Sequence, residues 1–219
     1  MTKQIRCFLL AFLLNIAGGT IAGANIGEQL SSSGPGSKVE GKGVVLLSVR
    51  WDRRWTCGQF ENTQLRAIGF DKQPSTKTDE AAPDLLLDDA PKLFTKPKFD
   101  NYAFLVEPGE YGLSTLEIKV ARSVSDVGSF KVPRTRFMKE GKSSGGTFNV
   151  ASGETVYLGH FYLDCATAQP IMWRYYPEDR EAFQQFLASV KGEMPWLDAS
   201  KVQFRLFETE EFGHSFKLP

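Results

Sequence analysis

Residues 101–121 read NYAFLVEPGEYGLSTLEIKVA, and this stretch decides the fold class. An apolar strand pattern precedes the turn sequence EPGE, and a second strand pattern follows it. Pro108 fixes φ and Gly109 is free to adopt positive φ, as a tight turn requires. The stretch therefore predicts a β-hairpin, and we expect the ring of Tyr111, at the start of the returning strand, to be buried.

The returning strand has an irregular apolar phase. Its apolar residues are Tyr111, Leu113, Leu116, Ile118 and Val120. Side chains on a strand alternate between its two faces, so the odd interval after Leu113 needs one extra residue. The sequence therefore predicts a β-bulge near Ser114 and Thr115.

Other strand patterns lie on both sides of this stretch. The run GVVLLSVR (43–50) is continuously apolar and predicts a strand buried on both faces. Alternation predicts further strands at 64–70 and 201–207. The stretch TFNVASGETVYLGHFYLDC (147–165) predicts a second hairpin with Ser152-Gly153 at its tip.

One segment near the C-terminus has helical periodicity. Pro177 suits a first helical position, and an apolar stripe follows at i, i+3, i+4 and i+7 from Phe183. Together the patterns predict a mainly β chain, an antiparallel β-sandwich of about seven to eight strands with one C-terminal amphipathic helix at 177–191. A single domain is expected over 43–219.

Two of these segments resemble known secreted β-sandwiches. The strand followed by Pro-Gly-x-Tyr-x-Leu resembles prealbumin-like and carboxypeptidase-regulatory-like domains. The Phe-x-Val-x-x-Gly-Glu stretch leading into Tyr-Leu-Gly resembles bacterial secreted domains of unknown function. The resemblance implies a sandwich with a scaffolding or interaction role, because these families share few active residues. The residues that carry it are Pro108, Gly109, Tyr111, Leu113, Phe148, Val150, Gly153, Glu154, Tyr157, Leu158 and Gly159.

The N-terminus has the pattern of a secretory signal peptide. Basic residues precede the apolar run CFLLAFLLNIA (7–17), and Ala22-Gly23-Ala24 has the small-x-small form that signal peptidase accepts. The run is shorter than the ~20 residues of a membrane span. The sequence therefore predicts a signal peptide at 1–24, a flexible leader at 25–42, no transmembrane span and an exported, periplasmic protein.

Cleavage after residue 24 would leave two cysteines, Cys57 and Cys165. An even number of cysteines in an oxidising compartment permits one disulfide. If the strand at 43–50 and the strand at 154–165 lie in facing or neighbouring positions, the sulfurs could meet, with Cα atoms within about 7 Å. Two separate thiols are the alternative.

Composition argues against several classes of function. The 26 basic and 26 acidic residues give no net charge, so nucleic-acid binding is not predicted. Two histidines and three cysteines without paired spacing form no zinc motif, and no cofactor is predicted. The polar stretch 71–84 and the acids between Asp79 and Asp89 lack the glycine turn of a calcium loop and favour a long, solvated surface loop.

The segment Arg50-Trp51-Asp52-Arg53-Arg54-Trp55 is a candidate ligand patch. Indole rings and guanidinium groups in one segment could stack on sugar rings or bind an anionic polymer. The alternative is a loop whose tryptophans pack against the end of the sandwich while its arginines stay in water. The patch residues are Arg50, Trp51, Arg53, Arg54 and Trp55.

We therefore expect a non-enzymatic protein with a binding or structural role in the cell envelope, acting on an envelope protein or a glycan. The alternative is a glycan-binding protein or a carboxylate-dependent glycan-processing enzyme. An enzyme of that kind would need two acids facing a cleft at about 5–10 Å separation. No catalytic, cofactor or metal residues are predicted.

Overall fold

A computed structural model describes residues 27–88, 98–165, 171–173, 180–205 and 207. Short 3-10 helices lie at Gly36–Val39 and Ala199–Lys201. The α-helices are α1 (Arg134–Phe137) and α2 (Arg180–Glu193). The strands are β1 (Glu28–Gln29), β2 (Gly43–Arg50), β3 (Arg54–Cys57), β4 (Phe60–Lys72), β5 (Leu85–Asp88), β6 (Asp100–Val106), β7 (Gly109–Ala121), β8 (Val127–Val132), β9 (Met138–Lys139), β10 (Lys142–Ser143), β11 (Thr147–Val150), β12 (Thr155–Asp164), β13 (Ile171–Trp173) and β14 (Val202–Phe204).

Most of these strands belong to two six-stranded sheets. Sheet I has the order β1-β6-β2-β12-β13, with β14 also pairing with β12. Sheet II has the order β11-β7-β4-β3, with β5 pairing with β4 and β8 with β7. The strands β9 and β10 form a separate two-stranded sheet. The prediction of a mainly β chain is confirmed.

Two pairings in sheet I differ from the expected wholly antiparallel arrangement. Both β2 and β14 run parallel to β12. Parallel neighbours need a long connection, and all of sheet II lies between β2 and β12 along the chain. The expectation of antiparallel pairing throughout was therefore wrong for these strands.

The largest hydrophobic core contains side chains of both six-stranded sheets, and we call it the intersheet core. A second cluster, the helix core, lies between the other face of sheet I and α2. Successive residues of β2 belong alternately to the two cores, so the prediction of a strand buried on both faces is confirmed. The intersheet core includes Val45, Leu47, Val49, Leu65, Ile68, Phe104, Leu116, Ile118 and Phe161. The helix core includes Val44, Leu46, Leu105, Tyr157, Phe186 and Val190.

Neither predicted hairpin is a hairpin. The turn after β6 leads into β7, yet β6 pairs with β2 in sheet I and β7 pairs with β4 in sheet II. The turn at Ser152-Gly153 likewise joins β11 in sheet II to β12 in sheet I. Both turns therefore cross from one sheet to the other, because a short connection can close a corner between two sheets as well as a hairpin.

The predicted bulge in β7 is confirmed. Thr115 pairs with Gly69 and Leu113 with Phe70, which leaves Ser114 as the extra residue on its strand. The bulge lets both Leu113 and Leu116 point into the intersheet core despite the odd spacing between them.

The predicted C-terminal helix is present as α2, and its apolar stripe packs through Phe186 and Val190. The helix continues through Glu193, two residues beyond the predicted end, because Gly192 does not terminate it. Its predicted start at Pro177 lies outside the described residues, as do the predicted signal peptide at 1–24 and the first two residues of the predicted leader at 25–42.

The predicted disulfide is present. Cys57 at the end of β3 and Cys165 directly after β12 are bonded, with their Cα atoms 5.1 Å apart. The bond links sheet II to sheet I across a sequence separation of 108 residues. Cys57 is completely buried, so the cross-link belongs to the inside of the molecule.

Candidate functional site

The loop between β4 and β5 is fixed to the molecule by a buried ion pair. Arg134 Nε donates to Asp71 Oδ2 at 2.7 Å, and both side chains are almost completely buried. The same guanidinium donates to the backbone carbonyls of Thr78 and Ala81. A guanidinium with a planar fork of donors can hold three acceptors at once, so Arg134 sets the course of this loop.

A second ion pair closes the base of the loop. Lys77 Nζ lies 2.7 Å from Asp84 Oδ1 and 3.4 Å from Asp71 Oδ1. The backbone N–H of Asp84 also donates to Asp71 Oδ1. The predicted surface loop is present between β4 and β5, but Asp71 lies in β4, and its buried carboxylate connects the two ends of the loop.

The β4–β5 loop crosses the outer face of sheet II, the face turned away from the intersheet core. The side chains of sheet II are small where the loop crosses. A Cβ at Gly69 would lie 2.5 Å from both Pro83 Cγ and Thr115 Cγ2, so only glycine allows Pro83 to approach the sheet so closely. The adjacent position on that face of β4 is Ala67, which pairs with Glu117. Because Ala67 and Gly69 occupy successive positions on the outer face of β4, open space remains between the loop and the sheet.

This space is a cavity of about 480 Å³, which we call the outer groove. One wall is the loop from Asp79 to Pro83, and the floor contains Ala67, Ser114 and Thr115. A row of paired residues crosses the floor from β5 to β8, namely Asp88, Ala67, Glu117 and Lys131. The other lining residues are Arg66, Leu86 and Arg134.

Ser114, the extra residue of the β7 bulge, lines the floor of the outer groove. Its side chain is fully buried, and among the described residues its Oγ has no hydrogen-bond partner. A buried hydroxyl without a partner is unfavourable by about 1–3 kcal/mol. The bulge therefore places an unsatisfied polar group beside the cavity.

Carboxylates dominate the charge of the outer groove. Glu117 accepts a hydrogen bond from Ser129 Oγ at 2.6 Å, and Asp79 accepts one from the backbone N–H of Thr135. A hydrogen bond from the Thr78 side chain lowers the pKa of Glu80 below its ordinary value. Glu80 is thus kept ionised, the opposite of what a general acid needs.

The sequence-predicted patch at Arg50–Trp55 does not form one surface. Trp51 is buried in the intersheet core, where its Nε1 donates to the Tyr102 hydroxyl at 2.7 Å. Trp55 is 64% exposed, and the Arg53 guanidinium lies 5.3 Å from the centre of its indole ring. Of the two tryptophans in the patch, Trp55 alone therefore presents its indole at the surface.

The remaining patch residues surround Asp52. Arg50 Nε lies 2.7 Å from one carboxylate oxygen of Asp52, and Arg54 Nη1 lies 3.4 Å from the other. The Arg50 guanidinium also lies over the ring of Tyr162, 4.5 Å from its centre. These two guanidiniums are engaged within the protein, in contrast to the expectation that the arginines stay in water.

The turn residues Pro108, Gly109 and Tyr111 are structural. Gly109 has a φ of +150°, and the predicted burial of Tyr111 is confirmed. The Tyr111 hydroxyl donates to the Glu107 carbonyl at 2.8 Å, while its ring stacks on Phe148. Desolvation raises the pKa of Tyr111, so the hydroxyl remains a donor. The ring and the hydroxyl together secure the corner between the two sheets.

His160 is an ionisable group in the interior of the molecule, and its side chain is buried. It lies after a register shift in β12, at the helix core, and hydrogen bonds through Nδ1 to the Tyr157 hydroxyl. The rings of Phe99 and Phe186 pack against its imidazole. Desolvation lowers its pKa to about 3, so the imidazole is neutral near pH 7.

Among the described residues, no three histidine, cysteine or carboxylate side chains are grouped so that they could hold a metal ion. The described helices include none that is both long and apolar enough to cross a bilayer.

Comparisons with protein families, curated proteins and solved structures give no match in any of the three.

Sequence reasoning missed the outer groove as a candidate site. The bulge at Ser114 was predicted, but its position beside a cavity depends on where the β4–β5 loop lies. That position in turn depends on Arg134, which is 63 residues from Asp71 in sequence. The signal available was the small outer-face pair Ala67 and Gly69 in an otherwise strand-forming stretch, since glycine in a strand can mark a close approach by another backbone.

Proposed function

We propose that the protein is an exported, non-enzymatic binding protein of the cell envelope, and that the outer groove holds its ligand. The observation that carries the binding role is the groove itself, a cavity whose loop wall is fixed by the buried Arg134–Asp71 ion pair. Its volume falls within the range of about 300–1,000 Å³ typical of small-molecule sites. A wall held in one conformation lowers the entropy lost when a ligand binds.

Export is supported by two observations. The N-terminal sequence has the order of charge, apolar run and small residues that signal peptidase recognises. The Cys57–Cys165 disulfide is the kind of bond that persists in an oxidising compartment such as the periplasm. Mass spectrometry of the native protein from fractionated cells should find a chain that starts near Asn25. Recovery of the full chain with Met1 from the cytoplasm would contradict export.

The β-sandwich and its prealbumin-like class belong to the same proposal. Support comes from the intersheet core shared by the two sheets and from the hydrogen bond between the Tyr111 hydroxyl and the Glu107 carbonyl. A tyrosine whose hydroxyl bonds to the backbone a few residues upstream also occurs at a corner of immunoglobulin-type β-sandwiches. Such folds hold scaffolding and binding domains, which agrees with the proposed role.

Retention on isolated envelope material tests the binding role. Ala67→Trp should fill the outer groove and reduce co-sedimentation with envelopes. Lys119→Trp is the matched control, because Lys119 lies on the same face of β7 but outside the groove lining. Equal retention of both variants and of the natural chain would contradict binding through the groove and would favour a purely structural role.

A glycan-processing enzyme is the second candidate, because acids line the outer groove. Asp88 and Glu117 flank Ala67 in one row, so their backbones are two strand spacings, about 10 Å, apart. That is near the upper end for a pair of inverting carboxylates. Incubation with isolated envelope glycans should release no reducing ends. Release that Glu117→Gln abolishes would establish the enzyme instead.

The exposed Trp55 and the adjacent Arg53 form a second surface that could bind a glycan. A ring exposed to solvent could stack on a sugar. Trp55→Ala should leave envelope retention unchanged if the outer groove is the binding site. Loss of retention in this variant alone would move the binding site to the Trp55 surface.

A further inference from the structure

We propose that the outer groove binds the ammonium group of an aliphatic amine, with the amine's carbon chain lying along the groove. This inference rests on the proposed binding function and names the class of ligand. The same chemistry is available from a free diamine or polyamine and from the lysine side chain of a peptide.

The sign of the ligand's charge follows from the lining. Four carboxylates line the groove, at Asp79, Glu80, Asp88 and Glu117. Three cationic side chains also line it, but Arg134 is neutralised by Asp71. The four acids and the two remaining cations give a net charge of about −2, so the groove attracts a cation.

The position of the cation follows from the pairing within the groove. Glu117 lies directly opposite Lys131 on the neighbouring strand, and the charge of Lys131 also acts on Glu80 of the loop wall. Asp79 and Glu80 are neighbours on the loop wall, so two carboxylates there share the single positive charge of Lys131 with Glu117. The lowered pKa of Glu80 agrees with a carboxylate that is ionised before the ligand arrives.

Ser114 supplies a second, independent feature. Its buried Oγ lacks a hydrogen-bond partner among the described residues, and it lines the floor opposite the loop wall. A hydroxyl oxygen accepts hydrogen bonds, and an ammonium group has three donors. Rotation of the Ser114 side chain would turn its Oγ, which is closed to solvent in the structure, toward an ammonium group held between the floor and the loop wall.

The apolar part of the lining suits a hydrocarbon chain. Leu86, which is 36% exposed, lines the groove with Ala67 and Pro83. Leu86 lies in register with Gly69, beneath the approach of Pro83. A carbon chain over these side chains would remove apolar surface from water.

Isothermal titration calorimetry with 1,5-diaminopentane tests the inference on the mature chain. We expect saturable binding that weakens as salt rises, because screening reduces the attraction between exposed charges. Glutarate and 1,5-pentanediol, of the same chain length, are the anionic and neutral controls and should not bind. Binding of glutarate equal to that of the diamine would overturn the inference.

Variants localise the binding. Ala67→Trp should abolish it, Glu80→Gln should weaken it about two- to fivefold, and Ser114→Ala should weaken it about fivefold. Ser114→Ala should not lower the denaturation midpoint, because it removes a hydroxyl that has no partner. Asp126→Asn, in the exposed turn between β7 and β8, is the matched control and should bind normally. Binding that Ala67→Trp leaves intact would overturn the inference.

A second ligand separates the two sources of the amine. Nα-acetyl-lysine methylamide presents the lysine side chain without a free α-amino group. Groove-dependent binding of this compound supports recognition of a peptide, and groove-dependent binding of the diamine alone supports a free amine. If neither binds while Ala67→Trp still loses envelope retention, the ligand class is wrong and the proposed binding function stands. If retention is also insensitive to Ala67→Trp, both fail.

Discussion

The intersheet core and the helix core lie on opposite faces of sheet I and differ in chemistry. The intersheet core consists of aliphatic and aromatic side chains and is closed by the Cys57–Cys165 disulfide. The helix core is built around a stack of aromatic rings, in which Tyr157 and Phe186 have centroids 3.7 Å apart. The buried imidazole of His160 adjoins this stack. The intersheet core is therefore covalently cross-linked, whereas the helix core adjoins an imidazole, that of His160, which can gain a proton.

The difference separates two routes to loss of structure. Apolar side chains and a disulfide do not titrate, so the intersheet core should respond to reduction and to cavity-forming substitutions. The helix core should respond to acid, because a charged imidazole is poorly accommodated among Phe99, Phe186 and the Tyr157 ring. Each route can be tested separately.

Removing the disulfide should have the largest effect. Cys57→Ala combined with Cys165→Ala opens a loop of 108 residues, which the chain-entropy model values at up to about 4–5 kcal/mol of unfolding free energy. Urea denaturation of the oxidised natural chain and the double variant measures the loss. The natural chain treated with reductant is the matched control and should lose a similar amount. A loss below about 1 kcal/mol would show that the cross-link does not constrain the unfolded chain.

Tyr111→Ala tests the corner that joins the two sheets at the intersheet core. The substitution deletes a buried ring stacked on Phe148 and should lower the unfolding free energy by about 3–5 kcal/mol. Tyr111→Phe keeps the ring but removes the hydrogen bond to Glu107, and should cost only about 1 kcal/mol. Chemical denaturation of both variants separates packing from hydrogen bonding. Equal losses in the two variants would contradict burial as the main contribution.

The corner between β6 and β7 shows which features of the fold could be predicted from the sequence. The strands on either side of Pro108, the burial of Tyr111 and the bulge at Ser114 all follow from local side-chain alternation, which depends on which face is buried. The pairing of the strands was not predictable in the same way. Alternation indicates which face of a strand is buried, but it does not identify the strand that pairs with it. A two-residue turn fits a hairpin, yet here it crosses between sheets. Similar reasoning failed at Ser152-Gly153 for the same physical reason.

The candidate site was less predictable than the fold. Trp51 and Trp55 are four residues apart in a segment of similar composition, but one is buried and the other exposed. The sequence does not reveal which indole faces the core, because the irregular residues between β2 and β3 reset the alternation. The outer groove depends on a contact between Arg134 and Asp71 that has no local signature. Long-range ion pairs of this kind are decided by tertiary structure.

Acid should destabilise the helix core. Burial lowers the pKa of His160 to about 3, whereas an imidazole in the unfolded chain titrates near 6.5. Between these values the unfolded chain binds more protons than the folded one, so stability is full above about pH 6.5 and falls as pH decreases toward about 3. The loss at pH 5 should be about 2 kcal/mol.

The denaturation midpoint measured between pH 7 and pH 4 tests this assignment to His160. His160→Gln keeps a polar side chain that does not titrate in this range, and its stability should vary less with pH than that of the natural chain. His214→Gln removes the second histidine of the chain and is the matched control, which retains the pH dependence of the natural chain if His160 is its source. An unchanged pH profile in His160→Gln would assign the acid sensitivity to other groups.

The smallest expected effect separates the two tryptophans of the original patch. Trp51→Phe leaves a cavity in the intersheet core and loses the hydrogen bond from Nε1 to the Tyr102 hydroxyl, which together should cost about 1–3 kcal/mol of unfolding free energy. Trp55→Phe changes a side chain that is 64% exposed, and its effect should stay within about 0.5 kcal/mol. Urea denaturation of the two variants makes a matched comparison, since the same substitution is made four residues apart. A larger loss for Trp55→Phe than for Trp51→Phe would contradict the assignment of Trp51 to the core and Trp55 to the surface.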